Sequence, residues 1–134
     1  MTTFANIDDY VTDPGLEQDG IRLGFGKNRF IDIRRAGGTN VEYDNYVANR
    51  AKQCMVDGEI DNDIAKEEFI KAYAKKVVTG WSGWLDDKGN EIEFSADKCI
   101  ELFNASPEIY EKVKVNANNL DNFRRQEVKD SGNV

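Results

Sequence analysis

The chain has 134 residues, 40% of them hydrophobic and 32% charged, with a formal net charge of −7. That balance suits one soluble globular domain with a real core, and it argues against nucleic-acid binding, because the cations form isolated pairs (Arg34-Arg35, Arg124-Arg125) instead of a basic stripe. No apolar run reaches membrane-spanning length, the first residues do not make a signal peptide, and histidine is absent, which removes the commonest general base, the usual zinc ligand and every Ser-His or Cys-His nucleophile pair.

Residues 1–20 are expected to form a partly ordered arm. Phe4, Ile7 and Tyr10 are spaced for one helical turn, and Asp13-Pro14-Gly15 is a turn signal. Ile21, Leu23 and Phe25 then alternate with Arg22 and Gly24, and Ile31 and Ile33 share a face after Gly26-Lys27-Asn28. This pattern predicts a first β-hairpin, with Phe30 left on the other face. Thr39 and Glu42 have capping-box spacing and open a helix with the stripe Tyr43, Val47, Ala51, Cys54 and Met55, closed by Asp57-Gly58. Asp61 and Asp63 open a second helix, whose stripe is Ile64, Ala65, Phe69, Ala72, Tyr73 and Val77.

The stretch Val77 to Ser95 holds both tryptophans and predicts a second hairpin. Trp81, Gly83 and Leu85 alternate with Ser82 and Trp84, Asp86-Asp87-Lys88-Gly89 supplies the turn, and Ile92 and Phe94 alternate with Glu91 and Glu93. Ser95 caps a short helix burying Cys99, Ile100, Leu102 and Phe103. Ser106-Pro107 opens the last helix, with Ile109, Val113, Ala117, Leu120 and Phe123 on one stripe, running to about Val128. The expected fold is mainly α (α+β), with about four helices and two small β-hairpins, one near the N-terminus and one between helices two and three. Residues 21–128 form a single globular domain and 129–134 a frayed tail, while Cys54 and Cys99 are expected as buried free thiols.

The sharpest chemical candidate is an acidic loop. Asp57, Glu59 and Asp61 fall at calcium-loop positions one, three and five, and Glu68 at twelve. Asn62 replaces the glycine at position six and Ala65 offers no side-chain ligand at nine, so an acidic helix N-terminus is the better account and a calcium-binding module the weaker alternative. Gly24-Phe25-Gly26-Lys27-Asn28 lacks the spacing and the following Ser or Thr of a phosphate loop, and nothing singles out two carboxylates as an acid/base pair. No catalytic residue, cofactor or metal is therefore expected.

The order of residues adds a resemblance. Val77-Val78-Thr79-Gly80-Trp81-Ser82-Gly83, then Asp87-Lys88-Gly89, Ile92-Glu93-Phe94-Ser95 and Pro107-Glu108-Ile109, resemble tail assembly chaperones of long-tailed bacteriophages. Phe30 to Gly38, with Asn40 and Tyr43, is similar to the same family's N-terminal half, so the resemblance covers roughly residues 20 to 125. It implies a non-enzymatic protein that binds the tape measure protein, helps recruit tail tube protein, self-associates, acts in the host cell cytoplasm and is absent from the mature virion. A structural component of the phage tail is the alternative. Such a chaperone needs exposed apolar anchors, and Phe30 and Trp84, expected on the outer faces of their hairpins, are the partner-binding candidates. On that expectation, Trp84→Ala removes the partner and spares the fold.

Overall fold

The computed structural model of the chain describes residues 4–124, so the expected end of the last helix at Val128 and the tail 129–134 lie outside the described residues. In chain order the elements are α1 (Pro14–Asp19), β1 (Ile21–Gly24), β2 (Phe30–Ile33), α2 (Val41–Arg50), β3 (Met55–Val56), β4 (Glu59–Ile60), α3 (Asn62–Ala72), β5 (Val78–Ser82), α4 (Ala96–Ala105) and α5 (Pro107–Ala117). The fold is mainly helical with small antiparallel sheets.

Asp13-Pro14-Gly15 opens a helix instead of a turn. The Asp13 carboxylate accepts the Gly15 N–H at 2.8 Å, and Pro14 takes the first helical position, where its missing N–H costs nothing. The segment is bound to the body at both ends. Thr12 pairs with Arg124, and the Asp13 N–H donates to the Phe123 carbonyl at 2.7 Å. Glu17 is 2% exposed, and its carboxylate accepts hydrogen bonds from the Thr12 hydroxyl, from Arg35 and from the Thr39 N–H. Residues 12–20 thus belong to the folded unit, whereas Phe4 and Tyr10 stay exposed.

The first hairpin forms as its alternation predicts, with Ile21 opposite Ile33 and Leu23 opposite Ile31. Ile31 and Ile33 are fully buried on one face. On the other, Arg22 and Asp32 lie directly opposite and form a two-pronged ion pair, at 2.7 and 3.0 Å. The second expected hairpin is only partly present. Its first strand, β5, pairs with β2 instead and completes a three-stranded antiparallel sheet in the order β1-β2-β5. What remains of the hairpin is the Leu85–Glu91 bridge around a turn in which Asp86 Oδ1 accepts the Lys88 and Asn90 N–H groups.

Gly83 is where the chain leaves the sheet. Its φ is +83°, and a Cβ there would lie 2.0 Å from the Asn28 carbonyl oxygen, so both the backbone conformation and the close approach require glycine. The turn swings Trp84 inward. It is 7% exposed, packs edge-on against Phe25 and beside Trp81, and donates its indole N–H to the Phe30 carbonyl at 3.0 Å. The expectation of Trp84 on an outer face is therefore corrected: the alternation breaks at Gly83, and the residue is core. Phe30 does lie on the outer face, but it is half-buried, with the Arg22 guanidinium 5.1 Å above its ring.

Helix boundaries differ in instructive ways. The cap of α2 is Asn40, not Thr39. Fully buried, it accepts the Tyr43 N–H at 3.3 Å and donates to the Arg35 and Lys76 carbonyls at 2.9 and 2.8 Å. The Thr39 N–H is held by the Glu17 carboxylate. The buried residues of α3 and its terminal π-helical turn (Tyr73–Val77) are Ile70, Ala72, Tyr73, Ala74 and Val77, with Phe69 42% exposed. The stripe read from the sequence had merged two faces. α5 ends at Ala117, well short of the expected end. Asn118 turns its side chain to the Lys114 carbonyl and the Tyr73 hydroxyl, and a 3-10 turn (Leu120–Phe123) follows, burying Phe123.

One core results. The sheet's inner face, the end of α3, α4 and α5 share Leu23, Val78, Trp84, Cys99, Phe103 and Val113. Tyr43, Tyr73 and Tyr110 run across it edge-to-face, with centroids 5.5 and 5.6 Å apart.

Three outcomes follow from this packing. Trp84→Ala will destabilise the fold by ~3–5 kcal/mol, as for a buried aromatic truncated to leave a cavity, and denaturant melts will show it. Asn40→Asp keeps the cap but sets a carboxylate against two carbonyls. Denaturant titration should find it less stable by at least ~2 kcal/mol, the cost of two lost buried donors. Burial pushes the Glu17 carboxyl upward, but hydrogen bonds from Thr12, Thr39 and Arg35, with the Arg35 charge, outweigh it and hold the pKa below the ordinary 4.5. Its stabilisation is thus complete above that value and lost as pH falls through the lower folded-state pKa. Glu17→Gln will lower the melting temperature at neutral pH, and its acid-side decline below about pH 4.5 will be shallower than that of the native chain.

Candidate functional site

Between β2 and β5 the chain makes an excursion through α2, a 3-10 turn (Ala51–Cys54), the β3–β4 hairpin and α3. α2 has no fully buried residue: Tyr43 packs at the edge of the core, while Tyr46 and Val47 line a space shared with α3. The helix tightens at Arg50, and Asp57 (φ +53°) and Gly58 (φ +81°) then fold the chain into a two-residue hairpin turn, both central residues having the left-handed conformation such a turn requires. The Asp61 N–H donates to the Cys54 carbonyl at 2.6 Å and closes the hairpin's base. Asp61 then caps α3, its carboxylate accepting the Asp63 and Ile64 N–H groups at 3.0 Å each.

The walls enclose an open, almost wholly apolar groove of about 280 Å³. Val47, Cys54, Met55, Ile60, Ala65 and Phe69 supply most of its lining. Met55, Ile60 and Phe69 are 45, 64 and 42% exposed. Large apolar side chains gathered on one surface mark a binding site more often than chance exposure does.

Polar groups stand at defined points of this groove. The Glu68 side chain is 12% exposed, with Arg50 Nε 3.8 Å and Lys71 Nζ 3.5 Å from its oxygens. Arg50 also lies 5.2 Å above the Tyr46 ring. Among the described residues, Glu68 Oε1 and the Tyr46 hydroxyl are the buried side-chain polar atoms without a hydrogen-bond partner, and both residues line the groove. Cys54 is half-buried in the wall, its thiol directed to the Arg50 carbonyl at 3.6 Å. Cys99 is different: burial in the core pushes its thiol up to about 12.

The four residues of the calcium alternative are distributed over separate tasks. Asp57 makes the hairpin turn, Glu59 lies in β4, Asp61 caps α3, and Glu68 pairs with Arg50 and Lys71. Among the described residues no group of three or more Cys, Asp or Glu side chains is arranged to hold a metal ion. Phe30 and Trp84 do not line the groove. The residues that do were read from the sequence as core positions: Val47, Cys54 and Met55 on one helix stripe, Ala65 and Phe69 on the next. A signal was available in Met55-Val56 and Ile60, apolar residues flanking Asp57-Gly58, the strongest short hairpin sequence.

Among the described residues no helix is long and apolar enough to cross a membrane. Searches of the curated proteins and of the solved structures returned no match. The family model described as "YdaY prophage protein" matches residues 39–133, which takes in the groove, β5, α4 and α5. The match spans well over half of the chain, and this phage-associated protein belongs to the YdaY prophage protein family.

Proposed function

We propose that this protein works by holding other polypeptides and not by transforming a substrate, as a phage tail assembly chaperone. Its client is the tape measure protein of the same phage. It keeps that protein's long helices soluble in the host cytoplasm, helps bring tail tube subunits to it, self-associates, and does not remain in the finished virion. The observation that carries this reading is the open apolar groove of Met55, Ile60 and Phe69, set in a chain of net charge −7. An acidic frame keeps the molecule soluble while the groove offers the apolar contact area an aggregation-prone client lacks. Membership of a prophage protein family and the resemblance over roughly residues 20 to 125 agree with it.

The test is co-expression with the tape measure protein encoded in the same prophage. The native chain will bring the client into the soluble fraction and co-purify with it. Ile60→Ser combined with Phe69→Ser will lose most of that complex while keeping the native melting temperature, because neither side chain is in the core. A client that stays insoluble beside the native chain ends this reading. Recovery of the protein from purified particles by mass spectrometry would replace it with a structural tail component.

A further inference from the structure

The sequence contains two Asp-Gly steps, Asp19-Gly20 and Asp57-Gly58. Such a step has a chemistry of its own. The backbone nitrogen of the glycine can reach the carboxyl carbon of the aspartate, and glycine has no Cβ to shield that nitrogen. The reaction needs a nitrogen that is not engaged and a backbone that can turn. The two steps differ in both respects.

Asp19-Gly20 is locked. The Gly20 N–H donates to the Leu16 carbonyl at 2.9 Å, at the end of α1. Gly20 also lies against the backbone of β2, where a Cβ would come within 2.3 Å of the Ile33 carbonyl oxygen. The helix that ends there is anchored by the buried carboxylate of Glu17. Asp57-Gly58 is open. Both residues are exposed at the tip of the β3–β4 hairpin. Nothing lies within 4 Å of the position a Gly58 Cβ would take, and among the described residues no hydrogen bond engages the Gly58 N–H. The strands it joins are two residues long and exposed, so the turn can leave its left-handed conformation without disturbing the core.

We propose that Asp57 is a site of spontaneous isomerisation, and that its conversion takes down the hairpin wall of the groove. The Gly58 nitrogen bonds to Cγ of Asp57, and the hydroxyl of the protonated carboxyl leaves with the amide proton as water. The product is a five-membered succinimide. Water then adds to one of the two ring carbonyl carbons and breaks its bond to the nitrogen. Addition at Cγ restores aspartate. Addition at the main-chain carbon leaves the chain running through Cβ and Cγ, with a free α-carboxylate. One water leaves and one enters, so the mass is unchanged and nothing is oxidised or reduced.

The product's backbone is one carbon longer in a turn that requires two ordinary residues of positive φ. The Met55–Ile60 and Val56–Glu59 pairings lose their register, and Met55 and Ile60 lose their placement along the groove. The Asp61 cap of α3 and the core are outside the change. This goes beyond the polypeptide-holding reading and does not depend on what the groove holds.

The test is to age the full chain in neutral buffer at physiological temperature. Isoaspartate is then located by peptide mapping with electron-transfer fragmentation. In the folded chain Asp57 will convert at least about tenfold faster than Asp19, because Asp19 reacts only from rare opened states. In denaturant the two rates will converge. Asp57→Asn, which tolerates the left-handed turn, will react faster and release ammonia in place of water. Asp57→Glu cannot close the five-membered ring and will not convert. Cys54, half-buried in the groove wall, reports the consequence, with the core thiol of Cys99 as the internal control. The converted fraction will label with N-ethylmaleimide faster at Cys54 than the fresh chain, at an unchanged melting temperature, and the aged Asp57→Glu chain will show no such change. Conversion at Asp19 as fast as at Asp57 in the folded chain overturns the inference. So does a converted fraction whose Cys54 labels at the native rate.

Discussion

A single buried amide holds the two halves of this molecule in register. Asn40 ends the segment that leaves β2, caps α2, and donates to the carbonyl of Lys76 in the π-helical turn that follows α3. It therefore fixes where α2 begins relative to where α3 ends, and with them the mouth between the two helices. No alternative side chain of that size supplies two donors and one acceptor in this geometry. The neighbouring carboxylate of Glu17 does related work one layer out, holding the Thr39 N–H beside the cap.

With α2 and α3 so placed, α3 has to serve two environments. Ile70, Tyr73, Ala74 and Val77 enter the common core, while Ala65, Glu68 and Phe69 form the groove wall. α2 turns Tyr46 and Val47 toward the groove and meets the core through the half-buried Tyr43. The sheet, α4 and α5 are then free to be an ordinary packed layer, and the apolar groove is confined to the excursion between β2 and β5.

Much of this architecture was legible. Period-two alternation at Ile21–Phe25 and Ile31–Ile33 located the first hairpin, and Ser95, Ser106 and Pro107 located the starts of α4 and α5 to the residue. Local chemistry sufficed there because the cap or turn residue acts on its own neighbours. It failed where a distant group intervened. Thr39 loses the cap to Asn40, whose amide also reaches the carbonyl of Lys76, far along the chain. The strand at Val78–Ser82 leaves its own hairpin because β2 offers a longer pairing edge. The inward turn of Trp84 depends on Gly83 meeting the Asn28 carbonyl, a contact that alternation cannot anticipate. The groove itself was hidden for a similar reason. A helix stripe shows that a face is apolar, not whether the core or an open cleft lies opposite, and α3 carries both.

The β3–β4 hairpin is fastened lightly. All four of its strand residues are exposed, and the backbone bond from Asp61 to Cys54 closes it at the base. Two-stranded ribbons of this size have little stability of their own, so the free energy needed to swing it aside is local and does not draw on the core. The result resembles a spring clip more than a mould: one jaw is rigid helix, the other yields. Displacing the hairpin widens the groove without loosening the body.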